Sequence, residues 1–367
     1  MKKIVIAIDS FKGCLTSAEA NRAAAEGLLR AMPSAEVVQV PVSDGGEGWL
    51  EAFHRARGGL TVEARVCDPL RRPVAAPYLV QTASLQLPGG EHRPPMTAVI
   101  EMAKASGLML LAPEERNPLV ATTYGTGQLI ADAVERGCKH IVVGLGGSAT
   151  SDCGMGMLRA LVDTYAAAGH WDDITALRGV RFTIATDVTN PLCGENGAAH
   201  VFAPQKGATP AMVAALDARA RHFAAVSARH FGFDRSGTPG AGAAGGLGYA
   251  FLQYMNADCR PGIDILLDAA GFDSILHDAS FVITGEGTAD RQTLMGKLPF
   301  GILQRAKRHH VPVVLMAGRV SDRERLLGAG FSHVECINPP GLLAQEAMKP
   351  ETARENIRKT ASRLQGI

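Results

Sequence analysis

The sequence predicts a two-domain α/β protein, in which a discontinuous Rossmann-like domain of parallel strands carries a second α/β domain inserted into it. The 367 residues are too many for one ordinary domain. Both ends of the chain alternate short buried strands with helices, and the middle departs from this alternation. We therefore place residues 1–58 and 265–367 in the first domain and residues 59–264 in the inserted domain.

The N-terminal segment is typical of a βαβ opening. Residues 4–8 form a short apolar run, which predicts a buried parallel strand. Thr16 or Ser17 then caps a helix that runs to about Arg30, and residues 37–42 are a second buried strand. The alternation of strand, helix and strand predicts the first unit of a parallel sheet.

The middle of the chain begins with short strand candidates separated by turns rich in proline and glycine, which indicates hairpins. The predicted strands of this region are 61–67, 74–81, 98–100, 141–144 and 180–185. Helices are predicted after Thr122, after Ser151 and over 210–231, and residues 240–248 are predicted as a glycine-rich loop. The alternation of parallel strands and helices then returns. The predicted strands are 281–284, 313–316 and 334–337, with a helix near 299–310 and a polar helix at the end of the chain.

Composition limits the partners of the protein. The formal net charge is +1, so no overall field would recruit nucleic acid or an anionic membrane. No apolar stretch reaches the length that spans a bilayer. The seven cysteines form no CxxC pair, which argues against a zinc site, and their odd number fits reduced thiols in the cytoplasm. The sequence leaves assembly into a homo-oligomer open.

Acidic residues follow several predicted strands in loops of small residues. They are Asp9, Asp44, Asp187 and Glu286. Ligands of open α/β sheets bind beyond the carboxyl ends of the strands. One acidic residue in such a place is usually a cap or a turn former. Four of them, three with glycines close by, favour a polar binding site.

Residues 144–151, with the sequence GLGGSATS, link a predicted strand to a predicted helix. Glycines allow backbone N–H groups to approach a ligand, and the hydroxyls of Ser148 and Thr150 add donors, so the segment could cradle an anion. The alternative is a tight turn with Ser151 as the N-cap of the helix. Asp152 would lie in the first helical turn, where the helix dipole favours it structurally.

Two common nucleotide-binding signatures do not apply to this chain. The sequence has no GxxxxGK[ST], so the chain is not a P-loop protein. Residues 240–245 match GxGxxG, but they follow Ser-Gly-Thr-Pro and not a strand, so the dinucleotide interpretation fails. This segment is either a backbone surface for phosphate or substrate, or a flexible turn between domains.

Residues 281–298 hold a dense set of polar side chains that includes Glu286, Asp290 and Lys297. Mg²⁺ favours carboxylates together with substrate phosphates, and lysine neutralises phosphoryl charge. Lys12 has a similar position after the first strand. The alternative is an exposed connecting loop.

Together these segments resemble the glycerate kinase family, type 1, in family order over nearly the whole chain. The matching stretches are 9–13, 43–48, 101–108, 123–127, 144–152, 186–192, 202–208, 240–248 and 283–287, with Asp290, Gln292, Thr293, Gly296 and Lys297. Cys153 stands where the family commonly has glycine.

The resemblance implies a flavodoxin-like domain made from both chain ends and a central domain of restriction-enzyme-like fold. It also implies transfer of the γ-phosphoryl group of ATP to D-glycerate, with Mg²⁺ and usually with 2-phosphoglycerate as the product. A glycerate 3-kinase or a kinase of a related small hydroxy acid is the alternative. A non-catalytic sensor of a small acid is the alternative from another class.

With that activity, Asp187 becomes the candidate general base, because it stands at a strand end among flexible neighbours. Asp44 would bind glycerate hydroxyls or a metal, and Lys12 would offset phosphate or carboxylate charge. The candidate residues for substrate or phosphate binding are Ser10, Gly45, Gly46, Gly146, Gly147, Ser148, Thr150, Asn190 and Lys297. The nucleotide candidates are Gly285, Glu286, Gly287 and Asp290, of which Glu286 and Asp290 are also the metal candidates.

Overall fold

A computed structural model of the chain describes residues 2–43, 48–82 and 96–366. Its strands are β1 (Lys3–Ile8), β2 (Glu36–Gln39), β3 (Leu60–Cys67), β4 (Pro73–Thr82), β5 (Met96–Glu101), β6 (Cys138–Gly144), β7 (Arg181–Ala185), β8 (Asp258–Arg260), β9 (Ala279–Ala289), β10 (Val313–Val320) and β11 (His333–Cys336). Its helices are α1 (Ser17–Ala31), α2 (Trp49–Arg57), α3 (Ala103–Ser106), α4 (Tyr124–Glu135), α5 (Met155–Tyr165), α6 (Ala198–Phe202), α7 (Pro210–Phe231), α8 (Ala243–Met255), α9 (Gly262–Ala270), α10 (Phe272–Leu276), α11 (Leu298–Arg308), α12 (Arg323–Gly328), α13 (Ala344–Ala347) and α14 (Pro350–Ser362).

The described residues form two compact units. Unit 1 contains residues 2–43, 51–57 and 263–366, and unit 2 contains residues 48–50, 58–82 and 96–262. The predicted domains are residues 1–58 with 265–367 and residues 59–264, so the units differ from them at residues 48–50, 58 and 263–264. The domain boundaries stay a prediction, because a compact unit need not fold by itself.

Unit 1 is built on a parallel sheet with the order β11-β10-β9-β1-β2. Counted within the unit, this is the order 2-1-3-4-5 of flavodoxin-like sheets. The β1 run is fully buried from Ile4 to Ile8, as its apolar sequence predicts. Helix α1 begins with a capping box, in which Thr16 and Glu19 each bond the other's backbone N–H.

Unit 2 is built on a mixed sheet with the order β3-β4-β5-β6-β7-β8. Strands β3, β4 and β5 pair antiparallel, as the predicted hairpins require, and β5 to β8 are parallel. Its core includes Ile100, Val143, Ile184, Leu161 and Phe251. The predicted fold class is confirmed: both chain ends build a parallel sheet, and the middle builds a second, mixed sheet.

Candidate active site

The first candidate site lies in unit 1, where the order of the strands reverses. The chain passes from β1 to β2 on one side, and β9, β10 and β11 continue on the other side. The boundary between β1 and β9 is therefore the topological switch point, where ligands of doubly wound sheets bind. The backbone N–H of Asp9 donates to the carbonyl of Gly285 at 2.9 Å. The structure thus brings residues 9–13 next to residues 285–287.

Residues 285–287 are part of a strand. The prediction of a strand that ends at Thr284 with a loop after it is wrong, because β9 continues to Ala289 and pairs with β10 as far as Val320. Glu286 is therefore fixed by strand pairing, and its side chain is 7% exposed.

Glu286 has a bonding partner on each carboxylate oxygen. Oε1 accepts the hydroxyl of Thr293 at 2.6 Å, and Oε2 accepts Lys297 Nζ at 3.3 Å. Burial raises the pKa of Glu286, and the bonds from Thr293 and Lys297 oppose this rise. Lys297 is the N-cap of α11, and its side chain is 40% exposed. The Glu286 carboxylate therefore compensates the charge of Lys297, and this ion pair lies beside the switch point.

Lys12 and Ser10 follow β1 at the same edge. The N–H of Ser10 donates to Asp9 Oδ1 at 2.7 Å, which shapes the turn. Lys12 is exposed, and its side chain has no hydrogen-bond or ion-pair partner among the described residues. Its ammonium is available to an anion that enters from solvent.

The carboxylates of unit 1 are a poor fit for a resident magnesium ion. Mg²⁺ takes free carboxylate and phosphate oxygens. Both oxygens of Glu286 are bonded, one of them to an ammonium, and Asp290 Oδ1 accepts the N–H of Gln292 at 2.7 Å. In the part of the chain that the structure describes, no group of three His, Cys, Asp or Glu side chains could hold an ion. The assignment of Glu286 and Asp290 as metal ligands stays a prediction that this geometry does not favour.

The second candidate site lies in unit 2, at the carboxyl ends of the parallel strands β5 to β8. Backbone bonds hold the segments that leave these strands side by side. Met102 N donates to Gly144 O, Leu145 N to Ala185 O and Thr186 N to Arg260 O, at 3.0 to 3.1 Å. The segments after β6 and β7, which carry the glycine loop and Asp187, therefore start at one sheet edge.

The glycine loop, residues 144–151, is held from one side. Leu108 N donates to Gly147 O and Ala149 N to Ser106 O, both at 2.9 Å. Gly147 has φ of +74°, a left-handed conformation that favours glycine. The N–H groups of Gly146, Gly147 and Ser148 have no partner among the residues that the structure describes. The loop therefore keeps three adjacent backbone donors for an anion.

The predicted N-cap at Ser151 is wrong. Helix α5 begins at Met155 with Gly154 at its N-cap position, and the carboxylate of Asp152 bonds backbone N–H groups at this helix start. It accepts the N–H groups of Gly154 and Gly156 at 3.1 Å, and the N–H of Thr123 at 2.8 Å. The side chains of Thr150 and Ser151 are buried, and their hydroxyl oxygens have no hydrogen-bond partner in the described chain. Buried hydroxyls without a partner in the protein are uncommon, so both are candidate donors to a small bound molecule.

The glycine-rich segment 240–248 supports the glycine loop from within the core. The segment enters α8, whose residues Ala244, Gly245 and Gly246 have left-handed backbone angles. A Cβ on Gly245 would lie 2.0 Å from the carbonyl of Thr150, so only glycine allows this approach. The segment is buried. The predicted flexible turn and the ligand surface are both wrong here.

Cys153 shows how tightly this region is built. It has φ of +56°, a conformation that side chains rarely adopt, and it is 2% exposed. Its N–H donates to Gly245 O at 3.1 Å, which holds the backbone in place. The resemblance placed glycine here, and the positive φ gives the physical reason for that preference.

Asp187 lies just after β7 and is partly buried. Its Oδ1 accepts the N–H of Gly262, the first residue of α9, at 3.2 Å. Asn190 is engaged structurally, because its side-chain amide donates to Asn196 O at 2.8 Å and its carbonyl accepts Gly242 N at 2.9 Å. Asp187 thus follows β7 at the sheet edge where the glycine loop begins, and Asn190 holds the backbone of residues 196 and 242 in place.

Lys206 contacts the glycine loop, although it is not among the predicted site residues. It is 3% exposed, and its Nζ donates to Ser148 Oγ at 2.6 Å and to Thr150 O at 2.7 Å. Burial lowers the pKa of Lys206 to about 7, and the Asp152 carboxylate opposes that effect. A lone lysine in a polar turn is normally solvated, so only the distant contact with Ser148 reveals it.

Glu101 is a second side chain that lacked an assignment. It ends β5, is 3% exposed, and its Oε1 accepts the N–H of Leu50 at 2.6 Å. Lys104 lies 3.5 Å from its other oxygen. The remaining predicted residues Asp44, Gly45 and Gly46 lie outside the described residues.

The fold and the comparisons with known proteins define this chain as a kinase. It belongs to the glycerate kinase family, whose sequence model matches residues 4–367. A glycerate kinase of Bacillus subtilis (strain 168) is 41% identical over 378 residues, which cover 98% of this chain and 96% of that protein. A glycerate 2-kinase of Escherichia coli (strain K12) is 41% identical over 338 residues, which cover 87% and 86%.

A crystal structure assigned to glycerate kinase 2 of Salmonella typhimurium LT2 has a similar fold. The TM-score is 0.78 at 37% sequence identity, and the match covers 99% of this chain and 97% of that one. Within the described residues, no helix combines the length and the apolar character that crossing a bilayer requires.

Proposed function

We propose that the protein transfers the γ-phosphoryl group of ATP to O2 of D-glycerate, giving 2-phosphoglycerate and ADP. The name of one similar protein, a glycerate 2-kinase, supports the choice of O2. The observation that carries the proposal is at the edge of unit 2. There the adjacent strands β6 and β7 end in the donor-rich glycine loop and in Asp187.

Asp187 is the proposed general base. The hydroxyl oxygen of glycerate attacks the γ-phosphorus, its proton passes to the Asp187 carboxylate, and the bond from the γ-phosphorus to the ADP oxygen breaks. The N–H of Gly262 holds one oxygen of Asp187 and so orients the carboxylate. Phosphoryl transfer needs positioning and charge stabilisation more than covalent chemistry, which suits this small set of groups.

The glycine loop is the proposed anion-binding element. Its free N–H groups at Gly146, Gly147 and Ser148, together with the buried hydroxyl of Thr150, would donate to carboxylate or phosphoryl oxygens. Fixed donors of this kind stabilise charge that develops during transfer without having to reorganise.

Unit 1 is the proposed nucleotide-binding unit. Gly285, Glu286 and Gly287 line the switch point, and Lys12 and Lys297 would offset phosphate charge. Magnesium would arrive on the nucleotide phosphates, where it neutralises charge, rather than on Glu286 or Asp290. Asp44, Gly45 and Gly46 keep their predicted roles at glycerate. All seven cysteines are free thiols, which supports a cytoplasmic setting.

An assay of ADP release tests this function. We expect ADP release from ATP to depend on D-glycerate and on Mg²⁺. Related hydroxy acids, offered at the same concentration, test the choice of acceptor. If D-glycerate raises the melting temperature but no ADP forms, the protein binds the acid without turnover and the proposed function is wrong.

A further inference from the structure

Lys206 is held inside unit 2 by the glycine loop. The residue ends a 3₁₀ turn that follows α6, and its ammonium reaches a loop 58 residues earlier in the chain. Both of its hydrogen-bond partners, the hydroxyl of Ser148 and the carbonyl of Thr150, are uncharged. A lysine buried to this degree normally has an acidic partner, because an unpaired buried charge is costly.

The charged groups around Lys206 do not neutralise it. Among the described residues, no carboxylate lies within ion-pair distance of its Nζ. Asp152 acts on it at longer range, and its oxygens already accept three backbone N–H groups. Arg219 donates to Ser151 O at 2.8 Å, and the carbonyl of Arg116 lies beside Gly207. Among the described residues, Lys206 therefore has no ion-pair partner, and Asp152 acts on it only at longer range.

The bond from Lys206 also fixes what Ser148 can do. A charged lysine has only donors, so Ser148 Oγ must accept from it. The hydroxyl proton of Ser148 is then free to point away from Lys206, and it has no other partner in the described chain. The hydroxyl is therefore a donor, like the free N–H groups of Gly146 and Gly147.

We propose that Lys206 is a positioning residue that turns the Ser148 hydroxyl toward the substrate and supplies the buried positive charge of the anion site on the glycine loop. This inference rests on the proposed function for the identity of the anion, which is the carboxylate of glycerate or a phosphoryl group. Lys206 does not contact the substrate in this proposal. It acts through its bonds to the Ser148 hydroxyl and the Thr150 carbonyl.

Anion binding should then be coupled to proton uptake. At pH 8 the free protein holds Lys206 largely neutral, because its pKa is about 7. An anion on the loop favours the ammonium form, so binding should take up about one proton. The charged group that also acts on Lys206 is Asp152, and Arg219 bonds the neighbouring Ser151 carbonyl but does not titrate in this range.

Calorimetry in two buffers of different ionisation enthalpy measures this proton directly. The probes are D-glycerate and sulfate, neither of which titrates at pH 8, and sulfate stands for a phosphoryl group. We expect about one proton taken up by the wild type with one of the two probes, which identifies the anion, and none by Lys206→Met. Lys307→Met is the matched control, because Lys307 also donates to a backbone carbonyl, that of Ala329, but is exposed.

Steady-state kinetics of the Lys206 variants provide a second test of the proposal. Lys206→Met should lower kcat/KM about a hundredfold at pH 7, as removal of a preorganised donor does. We expect kcat/KM of the wild type to decline above pH 7. Lys206→Gln keeps two N–H donors without the charge, so it should regain part of the loss but lack this decline. Equal pH profiles of the wild type and Lys206→Gln would mean that Lys206 is only structural.

The outcomes separate the two proposals. If the wild type takes up no proton with either probe and Lys206→Gln binds both probes as tightly as the wild type, the inference about Lys206 is wrong even where Lys206→Met does not fold. If the wild type phosphorylates D-glycerate and Lys206→Met does so equally well, the inference fails and the proposed function stands. If sulfate binding takes up a proton but D-glycerate is not phosphorylated, the anion site stands and the proposed function fails.

Discussion

Unit 1 and unit 2 each hold a lysine close to the carboxyl ends of parallel strands, but the two lysines have different partners. Lys297 in unit 1 is 40% exposed and lies 3.3 Å from the Glu286 carboxylate. Lys206 in unit 2 is 3% exposed and bonds a hydroxyl and a carbonyl. The first charge is compensated within the fold and the second is not. An uncompensated buried cation indicates a place where the anion comes from the substrate.

Asp187→Asn should have the largest effect and tests whether the unit 2 edge carries the chemistry. Loss of a general base lowers the rate roughly a hundredfold or more. The amide can still accept the N–H of Gly262, so the fold should persist. Steady-state kinetics and circular dichroism measure both properties. Asp258→Asn, an exposed change on β8 of the same sheet, is the control. A folded Asp187→Asn protein with near-normal kcat would remove Asp187 as the base.

Lys206→Met should next change how stability depends on pH. The pKa of Lys206 is about 7 in the folded protein and 10.5 ordinarily, so between these values the unfolded chain binds more protons. The free energy of unfolding of the wild type should therefore rise by about 3 to 4 kcal/mol from pH 7 to pH 10 through this group. Urea unfolding at both pH values should show a smaller rise for Lys206→Met. An identical rise in the two proteins would contradict the buried cation.

Lys297→Met should affect the nucleotide and leave glycerate binding nearly unchanged. Loss of one charged hydrogen bond to phosphate raises KM for ATP about tenfold. The fold should tolerate the change, because Lys297 is 40% exposed and the buried Glu286 carboxylate keeps its bond from Thr293. Measurement of KM for both substrates checks this. A rise confined to KM for glycerate would overturn the assignment of unit 1 to the nucleotide.

Glu286→Gln should have the smallest effect. The amide can still accept the hydroxyl of Thr293, and only the charge pair with Lys297 is lost. That pair is worth up to about 1 kcal/mol, so KM for ATP should change fivefold at most. A loss of activity much larger than that, restored by raising the Mg²⁺ concentration, would show that Glu286 does hold the metal.

The sequence predicts those parts of the molecule that depend on local patterns. Apolar runs gave ten of the eleven described strands, and Thr16 gave the start of α1. The missed strand, β8, is exposed at all three of its residues, so it has no apolar pattern, and only pairing with β7 makes it a strand. Glu286 was expected in a loop, because nothing local reveals that β10 extends the pairing to Ala289.

The site is predictable only in part, for the same reason. Glycines and hydroxyls at 144–151 indicate an anion-binding loop from their types alone. The hydrogen bonds of Asp152 involve Thr123, 29 residues away, and the support from Gly245 depends on packing against Thr150. Lys206 has the weakest local signal of all, because its burial and both of its contacts come from distant segments.

Phosphorus NMR of the product formed from ATP and D-glycerate tests the transfer to O2 most directly. We expect a phosphate resonance split by the single methine proton on C2, which identifies 2-phosphoglycerate. A resonance split by the methylene protons on C3 would identify 3-phosphoglycerate and contradict the proposal, as would the absence of any phosphate ester of glycerate.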